Sequence, residues 1–441
     1  MLGFAGTRQW VYPQSVTGRW QRLRRATFLL LHAWLFVTPW LSVGGNPAFR
    51  IDLPGRTLYA FGGVFTPRDT ILLMLGVMFL AFTLFFVTSL WGRIWCGYAC
   101  PQTVFLETLV RPIEQWIEGN RTTRMRRDQA GASLDLAWRK ALKWVAFAAV
   151  ALLVAGTFLS WFADPRLVWT GAAPAGGYGV MAFFGFILFL DFTWFREQFC
   201  TYVCPYARFQ SVMTDADSLM VGYDLARGEP RNPKLGKREG KCVDCNKCVV
   251  VCPAGIDIRN GFQLECIQCA RCVDACESVM GKLGHETLVE YTTLRRARRE
   301  PARRWRPRTA AYTTLLTGLA AAMTLLVVNR TPIEASVQRA PGSLFTVDDD
   351  GFVRNTYLLR VTNTSGSHAK VPYHVHVDGL PDAQVICDQV ELGSTESATL
   401  PLVIRVPARG MDRRTTPIRV QVISPTDTVK VDATFKAGGA E

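Results

Sequence analysis

Five apolar runs punctuate the first three-quarters of the chain: Thr27–Val43, Thr70–Trp91, Ala141–Phe162, Tyr178–Phe195 and Thr309–Val328. Each is long enough, or nearly so, for a hydrocarbon core of about 30 Å, so the pattern predicts five transmembrane helices. The first run is long for the apolar part of a cleaved leader and no A-x-A site follows it, so it reads as a retained span. After Asn329 the pattern changes to short alternating segments: Arg360–Thr362, Val371–Val377, Gln384–Val390, Leu400–Val406, Ile418–Ile423 and Val429–Phe435. Gly, Pro, Asp and Ser separate them, which predicts an immunoglobulin-like β-sandwich.

Charge adds an orientation. The net charge is +14, but residues 329–441 hold 12 Lys/Arg against 13 Asp/Glu, so the excess lies beside the apolar runs. With the N-terminus inside, segments 1–26, 92–140 and 196–308 carry 5, 8 and 20 Lys/Arg, whereas loops 44–68 and 163–177 carry 3 and 1. This positive-inside asymmetry predicts a cytoplasmic N-terminus, a cytoplasmic 196–308 segment and a periplasmic sandwich in a bacterial inner membrane. Basic charge distributed in this way speaks for membrane topology rather than nucleic-acid binding. The collar RRARREPARRWRPR before the fifth run reads as a headgroup anchor. The predicted domains are 1–26, a four-span region 27–195 with two motif repeats, a cytoplasmic segment 196–308 with a ferredoxin-like part at about 238–285, a fifth helix 309–328, and 329–441.

Eight of the 13 cysteines fall within Lys241–Glu277. Cys242, Cys245, Cys248 and Cys252 follow C-x2-C-x2-C-x3-C, and Cys266, Cys269, Cys272 and Cys276 repeat it. This is the bacterial spacing for [4Fe–4S] clusters, and its doubling predicts two. In two-cluster ferredoxins the fourth cysteine of each run crosses over, which groups Cys242, Cys245, Cys248 and Cys276 against Cys266, Cys269, Cys272 and Cys252. Zinc sites and disulfides are poorer readings of such crowding. Pro253 follows the first run, while Glu277 stands where the second would have proline.

Four further cysteines repeat on their own. Cys96-Gly-Tyr98-Ala-Cys100-Pro101 and Cys200-Thr-Tyr202-Val-Cys204-Pro205 both fit C-x-Y-x-C-P-x3-F, each just past the inner end of a span. Cysteines at i and i+4 share a helix face, and proline after the second suits the start of a helix. A thiol at such an N-terminus is eased towards thiolate, which favours Cu(I), zinc or iron–sulfur. Two buried apolar pairs, or reversible CxxxC disulfides, are the alternatives. His32 lies inside the first run, where a hydrogen bond to a neighbouring helix competes with a functional role. Asp191 is expected to snorkel or to contact Arg196. His374 and His376, with His368, read as a solvated strand face before a copper site, and Cys387 as core. Trp91, Trp95, Trp161 and Trp194 mark span ends. There is no G-x-G-x-x-G nucleotide fingerprint, so electrons are expected from another protein.

Spans, paired CxxxCP motifs, two-cluster segment and outer sandwich together resemble the CcoG/FixG/RdxA family of cytochrome c oxidase accessory proteins. The resemblance covers nearly the whole chain. It implies assembly of a cbb-type haem–copper oxidase through reduction of Cu(II) to Cu(I). It also implies clusters on the eight clustered cysteines and copper handling at Cys96, Cys100, Cys200 and Cys204. Expected partners are a cytoplasmic electron donor, copper chaperones or oxidase assembly factors, and a second copy in a homodimer. A quinol-linked electron relay of the nitrate-reductase ferredoxin type, and a non-catalytic copper chaperone, are the alternatives.

Overall fold

Twenty-two residues without a charge, Thr70–Trp91, form a single helix (α2) about 33 Å long, enough to cross a bilayer. The computed structural model describes residues 10–231, 240–301, 303, 306–365, 370–394, 396–408 and 415–437. Arg8, His368, residues 238–239 of the ferredoxin segment, and Ala302, Arg304 and Trp305 of the basic collar lie outside them. Among the described residues four helices are long and apolar enough to span, not five: α2, α3 (Leu134–Leu159), α4 (Ala175–Leu190, extended by a wide turn to Phe195) and α5 (Pro307–Val328).

The run expected as the first span instead forms the second half of α1, Arg19–Val37. Its first two turns carry four arginines, and the apolar part that remains, about 18 Å at ~1.5 Å per residue, is too short to cross alone. The arginines are accommodated by protein. Arg24 is 1% exposed and donates from Nε to the Gly97 carbonyl at 2.7 Å. The N-terminal amides of Trp20 and Gln21 bond the Asp274 carboxylate at 3.2 and 2.9 Å, so a residue 250 positions away caps this helix. Gly18 has no side chain because a Cβ there would lie 2.2 Å from Asp274 Cγ. At the other end, Trp161 Nε1 donates to the Leu35 carbonyl at 3.1 Å.

The chain divides into two units. Met1–Thr38 and Met74–Ala322 form the first. Within it α3 and α4 pack through small residues: Ala151, Ala155 and Gly156 are buried, and a Cβ on Gly185 would approach Leu152 to 3.0 Å. The ferredoxin segment follows α4. Its strands Leu219–Tyr223 and Val289–Thr293 pair antiparallel, and its core is Val221, Ile258, Val273, Met280, Leu288 and Val289.

Pro39–Leu73 and Met323–Glu441 form the second unit. Among the described residues its sandwich has nine strands: β1 (Ile333–Arg339), β2 (Thr346–Val347), β3 (Phe352–Asn363), β4 (Val371–Asp378), β5 (Gln384–Ile386), β6 (Val390–Leu392), β7 (Ser397–Pro407), β8 (Thr415–Ile423) and β9 (Thr428–Lys436). One sheet runs β5-β7-β3-β1 with β2 on β3, the other β6-β4-β8-β9. Alternate residues Tyr357, Leu359 and Val361 meet Leu402, Ile404, Val420 and Val422 in the core. β1 was not expected: its sequence IEASVQR lacks an apolar run, and pairing with β3 holds it in the sheet. A three-stranded sheet, Phe49–Asp52, Thr57–Ala60 and Gly63–Phe65, also fills most of the loop 44–68. His374 and His376 lie on the exposed face of β4, and Cys387 packs partly buried against the core.

Candidate metal centres

The two cysteine runs fold into loops of the same shape. In each, the residues on either side of the second cysteine adopt left-handed backbone: Asp244 and Asn246 (φ 51° and 56°), and Gln268 and Ala270 (φ 55° and 54°). Such conformations cost a non-glycine residue about 1 kcal/mol each, so their repetition points to a shared demand on the loop. They curl three thiols inward. A cavity of about 400 Å³ is lined by Cys242, Cys245, Cys248 and Cys276, and a second of about 360 Å³ by Cys252, Cys266, Cys269 and Cys272, with Cys248 at its edge.

Burial pushes the Cys248 and Cys266 thiols up to about 12 and Cys252 to about 11, and raises Cys272 well above the ordinary range. Buried thiols of this kind ionise only when a cation replaces the proton, which suits thiolate-ligated iron. Among the described residues no three His, Cys, Asp or Glu side chains converge on a point where one metal ion would sit. The sulfurs surround space instead, as a cubane requires, and the donor set fits [4Fe–4S].

The loops are braced differently. Arg259, 6% exposed, bonds Asp244 at 2.5 Å, Asn246 at 2.7 Å and Asp257 at 2.7 Å, and so holds the first loop from within the segment. The second loop is held by the membrane region together with Tyr291 of its own segment. Gln21 Nε2 donates to the Cys269 carbonyl at 3.1 Å, Tyr291 Oη donates to the Gln268 carbonyl at 2.7 Å, and Arg93 donates to the Leu264 carbonyl. Gly97 lies against its backbone: a Cβ there would be 2.6 Å from the Ile267 carbonyl oxygen.

The CxxxCP motifs repeat in space as well. Cys100 N bonds the Trp95 carbonyl at 2.8 Å and Cys204 N the Phe199 carbonyl at 2.9 Å, the same wide five-residue closure. Cys100 and Cys204 are extended (ψ 125° and 114°), and helices restart at Pro101 and Pro205. The expected single helix face for each pair is therefore not what forms, because a residue before proline is pushed out of α-helical geometry. The four thiols nonetheless gather: the charges of Cys96, Cys100 and Cys204 all raise the pKa of Cys200. Burial, then Cys100, lifts Cys96 to about 12, while Arg93 opposes. Burial also raises Cys100 against the amides of Thr103 and Gln102, so the helix start eases this thiol without making it a free thiolate. Cys200 lines a cavity of about 730 Å³ with Thr103, Glu107, Glu197, Pro253 and Ile267.

Under the motifs runs a belt of buried ion pairs that the sequence pattern did not single out. Glu107 meets Arg271 at 2.7 Å, Arg111 at 3.2 Å and Arg24 at 3.7 Å. Burial would raise its carboxyl, but Arg111, Arg24 and Arg271 hold it at about 2. Glu114 accepts from Arg196 at 2.7 and 2.9 Å, with Arg124 at 3.0 Å. The one legible trace was the i,i+4 spacing of Glu107 and Arg111. The expected contact of Asp191 with Arg196 forms through the backbone, the Arg196 N–H donating to the Asp191 carbonyl at 2.9 Å, while the Asp191 carboxylate accepts from Gln102 at 2.9 Å. His32 bonds the Phe28 carbonyl and the Thr108 hydroxyl, at 2.8 and 3.2 Å, as a helix-bridging residue does.

Three domain families match the chain: a 4Fe–4S dicluster domain over residues 195–294, a 4Fe–4S binding domain over 73–123, and the IG-like fold at the C-terminal of FixG over 323–438. Protein RdxA of Cereibacter sphaeroides is 33% identical over 84% of this chain and 82% of its own length. Nitrogen fixation protein FixG of Rhizobium meliloti is 33% identical over 85% and 80%, and protein RdxB of Cereibacter sphaeroides 36% over 81% and 80%. Likeness at this level along four-fifths of the chain, through membrane helices, cysteine loops and sandwich alike, makes this protein a member of the FixG/RdxA family of membrane iron–sulfur oxidoreductases.

Proposed function

We propose that the protein is a cupric reductase that supplies Cu(I) for assembly of a cbb-type cytochrome c oxidase. The observation that carries the reading is the proximity of Cys96, Cys100 and Cys204 to Cys200, which lines a cavity together with Pro253 and Ile267 of the ferredoxin segment. Cys242, Cys245, Cys248 and Cys276 would hold one [4Fe–4S] cluster, and Cys252, Cys266, Cys269 and Cys272 the other. When bound, such clusters supply single electrons, which matches the one-electron change from Cu(II) to Cu(I).

The chain's own residues do the rest. The CxxxCP thiols are buried, so copper binding must displace their protons, and soft thiolates favour Cu(I) over Cu(II). Gly97, Arg93 and Gln21 keep the second cysteine loop against the first motif. Glu107 and Glu197, both on the cavity wall, are held there by Arg271 and Arg111 at 2.7 and 2.6 Å. In this reading α1 completes five spans, with the cysteine loops cytoplasmic and the sandwich periplasmic in a bacterial inner membrane. A cytoplasmic protein donates electrons, a copper chaperone or oxidase assembly factor takes the product, and a homodimer is the working form.

Stopped-flow reoxidation of the reduced protein by Cu(II), compared with a quinone, tests the proposal. Rapid oxidation by copper is expected; oxidation by quinone alone would replace it with a quinol-linked relay, and oxidation by neither with a copper chaperone. A second reading has its own support, because the 4Fe–4S binding family matching residues 73–123 includes Cys96 and Cys100. Under that reading these cysteines ligate iron. Cys100→Ala and Cys204→Ala should keep the full iron content and EPR signals if the thiols handle copper, and lose iron if they are cluster ligands.

A further inference from the structure

A further cavity, open to solvent and of about 1320 Å³ with the solvent it admits, lies between the inner ends of α3 and α4. It lies away from the cysteine loops, and copper chemistry makes no use of it. One wall is aromatic: Phe147 is buried, while Trp144 and Trp194 are 53% and 55% exposed. The other wall is ionic. Glu114 and Glu118 share Arg124, at 3.0 and 3.2 Å, and are completed by Arg196 and Lys143. Asp128 takes Lys140 at 3.1 Å and the Tyr12 hydroxyl at 2.6 Å. Three carboxylates face four cations on the cavity wall, and Arg196 has a further partner outside it in Glu197 at 3.8 Å, so the cation open to a ligand is the outermost one. The loosest pair is the outermost, with Lys140 and Asp128 side chains 42% and 32% exposed.

The depth is that of a headgroup layer. Lys140, Lys143 and Trp144 occupy the first turns of α3, and Trp194 follows the last turn of α4. Trp116 and Trp138 nearby are 84% and 69% exposed, as tryptophans at a membrane interface are. An amphipathic ligand fits both walls: hydrocarbon along the tryptophans and a single negative charge at the cationic rim. We propose that this cavity binds one anionic phospholipid, its phosphodiester at Lys140 and its chains against Trp144 and Trp194. Basic pockets between inner helix ends hold such headgroups in other membrane proteins. The site stands apart from the copper reading and can fail without it.

Native mass spectrometry of the full-length protein in detergent tests the site, with phosphatidylglycerol, phosphatidylcholine and inorganic phosphate as probes. One phosphatidylglycerol should be retained and phosphatidylcholine should not. Lys140→Glu should weaken retention roughly tenfold or more, and Lys140→Gln by about fivefold, with visible absorption and iron content unchanged as the check on folding. Equal retention of phosphatidylcholine, or no change in either variant, would overturn the proposal. Displacement of the lipid by millimolar inorganic phosphate would overturn the lipid assignment and give the site to a soluble anion.

Discussion

The loops Cys242–Cys248 and Cys266–Cys272 share spacing and backbone, including left-handed residues on both sides of the second cysteine, yet they belong to different parts of the molecule. The first is locked by Arg259, four residues from Gly255 in the same segment, and exposes Cys245. The second buries Cys269 and is gripped by Gln21, Arg93 and the backbone of Gly97, all from the membrane region. A cofactor loop can thus keep one local geometry while its support changes from self-contained to borrowed. Stability of the second loop is tied to the membrane helices, and that of the first is not.

The largest effect should come from Glu107→Ala, which strands Arg24, Arg111 and Arg271 without their shared carboxylate. Removing one partner of a buried ionic cluster costs about 3–5 kcal/mol, so thermal unfolding in detergent should fall sharply, with iron lost first from the second cavity. The pH dependence has a definite sign. Glu107 is depressed to about 2 in the folded protein, from about 4.3 unfolded. Its contribution is complete above about pH 4.3 and fades as pH falls towards 2, and Glu107→Gln should flatten that part of the stability profile.

Arg259→Ala is the mirror image. It removes charged hydrogen bonds to Asp244, Asn246 and Asp257, worth about 1.5–3 kcal/mol where each is buried, so iron should be lost from the first cavity only. Selective loss of one EPR signal would establish the division; simultaneous loss of both would break it. Gly97→Ala should cost about 1–3 kcal/mol, because the new methyl meets backbone rather than a movable side chain. It should alter the EPR line shape of the second site and leave the first unchanged. The smallest effect is a gain. Ala270→Gly relieves left-handed strain by about 1 kcal/mol, whereas Asn246→Gly should lower stability, because asparagine tolerates that conformation and its side chain accepts from Arg259. Equal midpoints for both variants would show that the two loops are not strained alike.

The cysteine spacing, the long apolar runs and the alternating strands were legible because each is a local pattern. Thiolate geometry, a 3.6-residue helix and a two-residue strand period write themselves directly into neighbouring positions. The surroundings of the first run were not legible, because hydropathy treats Arg24 as solvated, whereas Gly97 and Glu107 receive it in the protein. The shared helix face expected for Cys96 and Cys100 also yields to geometry, since Pro101 turns Cys100 out of the helix.

By itself the sequence determined the thiol-rich loops, α2 and α5 as apolar helices, and an alternating β domain. Only the tertiary structure decided that Asp274 caps α1, that Gly97 lies on the second cysteine loop, and that the thiols of the two CxxxCP motifs come within electrostatic reach of one another. The reason is distance along the chain. A carboxylate that caps a helix some 250 residues away leaves no period or motif in either stretch, and exists only once the two have been packed together.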